Sequence, residues 1–209
     1  VDLEPNVISE MKNVELDDAG SIKTRNGYSK YISSALTDTP SITGCGKQRF
    51  SVSSSRVFVV AGDKFFEDVS GTWTNRTSTQ TITADNDNTF ITANASGTLV
   101  FTNGVDTVKK WAAAAGNIAA LGMGSSSVTR ASIVAWWDGR VWLINTNQGE
   151  RFAHYSSLTD IESYGANDYY LTDGAITGAG PVKSFFALHN EDSIWGLFPT
   201  GSSDAPYAL

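Results

Sequence analysis

The sequence has few residues that cross-link a chain or bind a metal. Its single cysteine, Cys45, excludes a disulfide within the chain, so the fold must be held together by burial. The two histidines, His154 and His189, lie in separate apolar stretches, with no further ligand at a zinc-binding spacing. Packing in a core or an interface is therefore favoured over a metal site for both histidines.

Long apolar runs and an excess of positive charge are also missing. No apolar run reaches the length of about 18 residues that spans a bilayer, and positions 1–10 lack the features of a signal peptide, so no membrane insertion is expected. Lys and Arg total 15 against 22 Asp and Glu, which gives a net charge of -7. Because surfaces that bind phosphate are basic, DNA close to this protein is expected to meet an acidic wall that repels it.

The clearest structural pattern lies between Ser132 and Ser157. Two apolar runs, Ile133–Trp137 and Val141–Asn145, flank Asp138-Gly139. A two-residue Asp-Gly connection between β-forming residues is a strong signal for a hairpin with a type I′ turn. A third run, Arg151–Tyr155, follows after a short polar turn, so the stretch predicts a three-stranded β-meander, the core of a propeller blade.

Hairpins of this kind recur along the chain. The turn residues Gly62, Gly97, Gly139 and Asp192 are successively 35, 42 and 53 residues apart, close to the roughly 40 to 50 residues of a four-stranded blade. The flanking strands are predicted at Arg56–Val60 and Lys64–Val69, at Thr89–Ala93 and Thr98–Thr102, and at Phe185–His189 and Ser193–Phe198. The sequence therefore predicts an all-β, antiparallel, β-propeller-like fold, partial or small, preceded by an N-terminal extended arm.

The predicted domain division falls near position 48. Residues 1–47 are expected to form the arm, as a short hairpin or an extended segment, with 33–46 as a surface connection, and residues 48–209 are expected to form the blades. Within the blades, 105–111 is favoured as a strand over a single helical turn, and 169–172 as an outer strand. Two alternatives stay open, four blades that close on themselves or the front part of a longer protein.

The adjacent tryptophans Trp136 and Trp137 are candidates for an exposed aromatic site. On a strand they point to opposite faces, and with Trp142 across the hairpin one of them would be able to stack on a sugar. Packing of both between blades is the favoured interpretation, because blades are stacked sheets.

Oxygen-rich segments are better explained by turns than by metal sites. Asp85-Asn86-Asp87-Asn88 lacks the glycine and the acid that an EF-type calcium loop requires at its sixth and twelfth positions, and Asp17-Asp18 is typical of an acidic turn. Ser70-Gly71-Thr72-Trp73 matches only the end of the Asp-box of sialidases, which favours a β-turn and not glycoside cleavage.

Three segments together carry a resemblance to a known family. The first segment lies near the start of the chain and contributes Asn13, Glu15, Asp17, Gly20, Ile22, Arg25, Gly27 and Tyr28. The second segment consists of residues 140–145 and 151–160, and the third of residues 182–198. In this order they resemble the hub, nozzle or DNA-stabilisation proteins that lie below the portal in the short tails of bacteriophages. The resemblance implies a virion component that forms a ring around the DNA channel, with Asn13, Glu15, Arg25 and Tyr28 as candidate assembly residues.

The function expected from the sequence is structural. A homo-oligomeric ring, attached to portal or adaptor and other tail proteins, would retain the genome and then let it pass, without sequence-specific DNA binding, enzymatic activity, cofactor or metal. One alternative is a carbohydrate-binding propeller that uses exposed tryptophans and blade-top loops. Another is a propeller hydrolase, which is disfavoured because the chain has no G-x-S-x-G nucleophile turn.

Overall fold

The computed structural model describes residues 14–16, 22–24, 31–32, 35–36, 38, 40–84, 91–112, 116–202 and 206–208. The chain comprises two compact units, Val1–Ser33 and Ser34–Leu209. In the first unit, β1 (Val14–Leu16) pairs antiparallel with β2 (Ile22–Thr24), which confirms the predicted short hairpin.

The second unit contains four antiparallel sheets of four strands each, and none of its described residues is helical. Blade 1 contains β3 (Ile42–Arg49), β4 (Ser55–Ala61), β5 (Lys64–Val69) and β6 (Thr72–Asn75). Blade 2 contains β7 (Ile91–Ala95), β8 (Thr98–Thr102), β9 (Lys109–Ala112) and β10 (Ala119–Ala120). Blade 3 contains β11 (Ala131–Trp137), β12 (Arg140–Thr146), β13 (Gly149–Tyr155) and β14 (Tyr169–Leu171). Blade 4 contains β15 (Gly178–Val182), β16 (Phe185–His189), β17 (Ile194–Pro199) and β18 (Tyr207–Ala208).

Tight turns hold each sheet in meander order. Asp138 and Gly139 both have positive φ, 50° and 72°, as the predicted type I′ turn requires. The turn at Ser70-Gly71 is also confirmed, and there the Asp68 carboxylate accepts a hydrogen bond of 2.8 Å from the Gly71 amide. Sequential pairing through short turns gives the all-β, propeller-like architecture that the sequence predicts.

The first strands of consecutive blades contact one another. Strand β7 contacts both β3 and β11, and β11 contacts β15. These strands are rich in small residues: Gly44, Gly46, Ala93, Ala95, Ala131, Ala135, Gly178, Ala179 and Gly180. Blades converge at the centre of such an arrangement, so only small side chains leave room for the approach of neighbouring backbones.

Hydrophobic clusters fill the spaces between consecutive blades. Phe58, Val60 and Phe65 of blade 1 pack against Leu99, Phe101 and Trp111 of blade 2. Ala93, Ala95 and Val100 of blade 2 pack against Val134, Val141 and Leu143 of blade 3. Trp142, Ile144 and Tyr155 of blade 3 pack against Phe186, Leu188 and Leu197 of blade 4. Each of the first three sheets therefore buries one face on its successor.

One buried carboxylate anchors the edge of blade 1. Glu67 on β5 is 2 % exposed and accepts hydrogen bonds of 2.7 Å from both Arg56 and Arg76. Two cationic partners and charge-assisted hydrogen bonds compensate the carboxylate for its loss of water. The ion pairs therefore connect β4, β5 and the end of β6.

The predicted start of the blades was wrong by six residues. Blade 1 begins at Ile42 and not at Gln48, because β3 includes the end of the segment predicted as a connection, residues 42–46. Its glycines suggested a loop, but Gly44 and Gly46 lie on a central strand where space is short; a Cβ at Gly46 would lie 3.0 Å from the Phe58 ring. The strand expected at 105–111 is confined to Lys109–Ala112, and the outer strand expected at 169–172 is confirmed as Tyr169–Leu171.

Candidate assembly surface

Blade 4 presents a sheet face that no other blade covers. Alternation along its strands turns Phe186, Leu188 and Leu197 towards blade 3 and the intervening residues away from it. The residues that point away form the outer face of blade 4: Gly178, Gly180, Val182, Phe185, Ala187, His189, Ile194, Gly196, Phe198 and Ala208. Apart from His189, none of these side chains is polar.

The outer face of blade 4 is exposed although it is apolar. Ile194 is 67 % exposed, Phe198 49 % and Val182 44 %. The rings of Phe185 and Phe198 stack with centroids 5.1 Å apart, which fixes a flat aromatic surface over Gly196. Gly180 lies open, because a Cβ added there would meet no atom within 4 Å. An exposed apolar face of this kind is a candidate site of protein association.

The opposite end of the blade series is covered only in part. On the outer face of blade 1, Val59, Ala61 and Phe66 are buried beneath Leu36 and Trp73. The first strand of that face remains open, with Ile42 59 % exposed and Cys45 also exposed. Both ends of the blade series therefore expose apolar side chains, which on blade 1 lie beside the exposed Lys47 and Arg49.

The two candidate tryptophans pack between blades. Trp136 lies against the cluster between blades 2 and 3, and Trp137 against the cluster between blades 3 and 4. The Trp137 ring stacks on Phe186 with centroids 5.5 Å apart, and Trp142 is fully buried. Both candidates are half-buried, so neither forms the exposed aromatic platform that a sugar-binding site would need.

The four candidate assembly residues of the N-terminal segment are largely outside the described part of the chain. Asn13, Arg25 and Tyr28 are not among the described residues. Glu15 lies on β1 opposite Lys23 of β2. The acidic clusters at 17–18 and 85–88 are likewise outside the described residues.

The two histidines occupy different environments. His189 lies on the outer face of blade 4 and is exposed. His154 is 4 % exposed and packs against the rings of Phe152 and Tyr169, and neither of its ring nitrogens has a hydrogen-bond partner among the described residues. Burial lowers the pKa of His154 to about 4, and the nearby Asp168 carboxylate opposes this shift only partly. At neutral pH the ring is therefore uncharged and acts as a core side chain.

An open cleft beside the turn of blade 3 has a polar rim. It has a volume of about 460 Å³ and is lined by Asp138, Arg140 and Tyr207, among others. Tyr207 donates a hydrogen bond of 2.9 Å to Asp138, and burial, reinforced by this carboxylate, raises the pKa of Tyr207 well above its usual value. Burial likewise raises the pKa of Tyr155 to about 12. Both phenols therefore stay protonated and stabilise the packing between blades 3 and 4.

The central strands do not supply an acidic channel. The four first strands, β3, β7, β11 and β15, contain no Asp or Glu, and their only charged residues are Lys47 and Arg49. The acidic residues among those described lie on loops and on other strands. The expected acidic wall therefore has no basis in the strands nearest the centre.

Two further searches concern metals and membranes. Within the described ranges, no group of three or more His, Cys, Asp or Glu side chains is arranged to hold a metal ion. None of the described residues forms a helix that meets the length and hydropathy of a membrane span.

The fold and the exposed face define an all-β protein of propeller-like architecture with an exposed apolar sheet face. No protein-family model matches the chain, and a search of the curated proteins gives no significant match.

The exposed face of blade 4 was not among the sites predicted from the sequence, although a signal was present. Ile194, Trp195, Leu197 and Phe198 place large apolar residues at both odd and even positions of one strand. A strand with apolar residues on both faces indicates a sheet that is covered on both sides. That pattern is the signal in the sequence for a second apolar face on β17.

Proposed function

We propose that this chain is a structural subunit of a short bacteriophage tail, part of a ring at the hub or nozzle below the portal. The observation that carries the proposal is the uncovered apolar outer face of blade 4. Apolar area of this extent on a rigid sheet favours an assembly subunit, since burial of that area on a neighbour stabilises the complex.

The packing of the blades suits a mechanical role. Three inter-blade clusters of buried side chains join the four sheets, so the blades resist deformation as a group. A ring built from such subunits would bound the DNA channel, retain the genome before infection and let it pass afterwards. The place in the tail comes from the resemblance of the three sequence segments described above.

Immunogold labelling of phage particles that encode this chain tests the proposal. Antibodies raised against the purified chain should label the vertex that bears the tail, and label should be absent from particles stripped of their tails. Label spread over the capsid, or no label on intact particles together with normal detection of the free chain, would refute the tail assignment.

A further inference from the structure

We infer that the outer face of blade 4 binds the outer side of blade 1 of a second copy, so that two copies close head to tail into one ring of eight blades. The inference rests on the proposed function in one respect, that the chain acts as an assembly subunit. It names the partner and the residues that meet.

The contacts inside the chain give the orientation. Blade 1 presents Phe58 and Phe65 to blade 2, and blade 3 presents Trp142 and Ile144 to blade 4. In each pair a sheet covers its successor with the same side. The outer face of blade 4 is the side with which the other blades cover their successors. The surface that matches it is therefore the side that a blade turns towards its predecessor.

Among the described residues, one such surface remains partly open. Blade 1 has no preceding blade among the described residues, and its first strand exposes Ile42 and Cys45 on the side away from blade 2. The contact of β7 with β3 and of β11 with β15 shows how first strands approach one another. By continuity, β15 of one copy would lie beside β3 of the other.

The area favours closure with two copies. A four-stranded sheet with strands of about five residues covers roughly 300 Å² per face. A single contact between two copies would bury at most roughly 600 Å², below the size of stable interfaces, because Leu36 and Trp73 already cover part of blade 1. Two equivalent contacts would double the buried area, to at most roughly 1,200 Å². Head-to-tail contacts generate rings when the rotation closes, and eight blades lie within the range known for propellers.

The single cysteine provides a direct test. Gly180 lies on the outer face of blade 4, its backbone does not require glycine, and a side chain there meets no neighbour. Gly180→Cys should therefore form a disulfide, or a link through a short bismaleimide, with Cys45 of a second copy, giving a band at twice the 22.4 kDa chain mass. Circular dichroism would establish that each variant retains the fold.

The controls separate this contact from its alternatives. Cys45→Ser combined with Gly180→Cys should give no cross-link, and neither should Asn117→Cys, which places an exposed thiol on blade 2. A cross-link in the Cys45→Ser, Gly180→Cys variant would mean that two blade 4 faces meet symmetrically, and this would overturn the inference.

A folded Gly180→Cys variant that stays entirely uncross-linked would also overturn it. If the immunogold label marks the tail in that case, the tail assignment stands and this interface fails. If the cross-link forms but the tail is unlabelled, the interface stands without the tail assignment.

Discussion

Acidification should destabilise the protein through His154. The pKa of this side chain is about 4 in the folded chain, against about 6.5 in an unfolded chain. Between these values the unfolded chain binds a proton that the folded chain does not, so the stability contributed by the neutral ring is complete above pH 6.5 and is lost as the pH falls towards 4. The expected loss relative to pH 7.5 is about 2 kcal/mol at pH 5 and about 3 kcal/mol at pH 4.

His154→Phe isolates this contribution. The variant keeps an aromatic ring against Phe152 and Tyr169 but has no ionisable group and no unpaired ring nitrogen. Urea unfolding at pH 7.5 and pH 5.0 should show a smaller loss of unfolding free energy for the variant, by about 2 kcal/mol. His189→Gln, at an exposed histidine, should behave as the original chain does. Equal losses in the original chain and in His154→Phe would refute the reasoning.

Two further substitutions test the core and the turns. Glu67→Gln should lower the free energy of unfolding in urea by about 2 kcal/mol, because two arginines lose their anionic partner. Asp63→Asn, at an exposed ion pair, should leave the urea midpoint unchanged. Equal effects of the two substitutions would contradict the role given to burial. Gly139→Ala should lower the free energy of unfolding by about 1 kcal/mol, because an L side chain disfavours the positive φ of the turn. Gly180→Ala should not lower the melting temperature, because the backbone and the surroundings of Gly180 accept a methyl group. Melting temperatures that fall equally for the two glycine variants would argue against the turn assignment.

The sequence predicted those parts of the fold that depend on local pattern. Asp138-Gly139 specified its turn, because few residues tolerate two consecutive positive φ angles, and the alternation around it specified the strands. The opposite directions of Trp136 and Trp137 followed from strand geometry, and their packing between blades followed from stacked sheets.

Features that depend on the assembly of the blades were less predictable. The composition of β3 is that of a loop, and only the crowding at the centre explains why glycines occupy a strand there. The assembly surface requires knowledge of which side of β17 faces blade 3, and this depends on contacts between residues distant in sequence. Net charge gave no guide to the central strands, because the acidic residues are distributed over loops and outer strands.

The molar mass of the purified chain, measured by light scattering over a concentration series, tests the account most directly. The account predicts a rise from 22.4 kDa to twice that value. It also predicts that Ile194→Asp stays at the lower mass, whereas Leu158→Asp, at a residue of similar exposure on a loop of blade 3, still dimerises. A mass of 22.4 kDa at every concentration for all three proteins would contradict it.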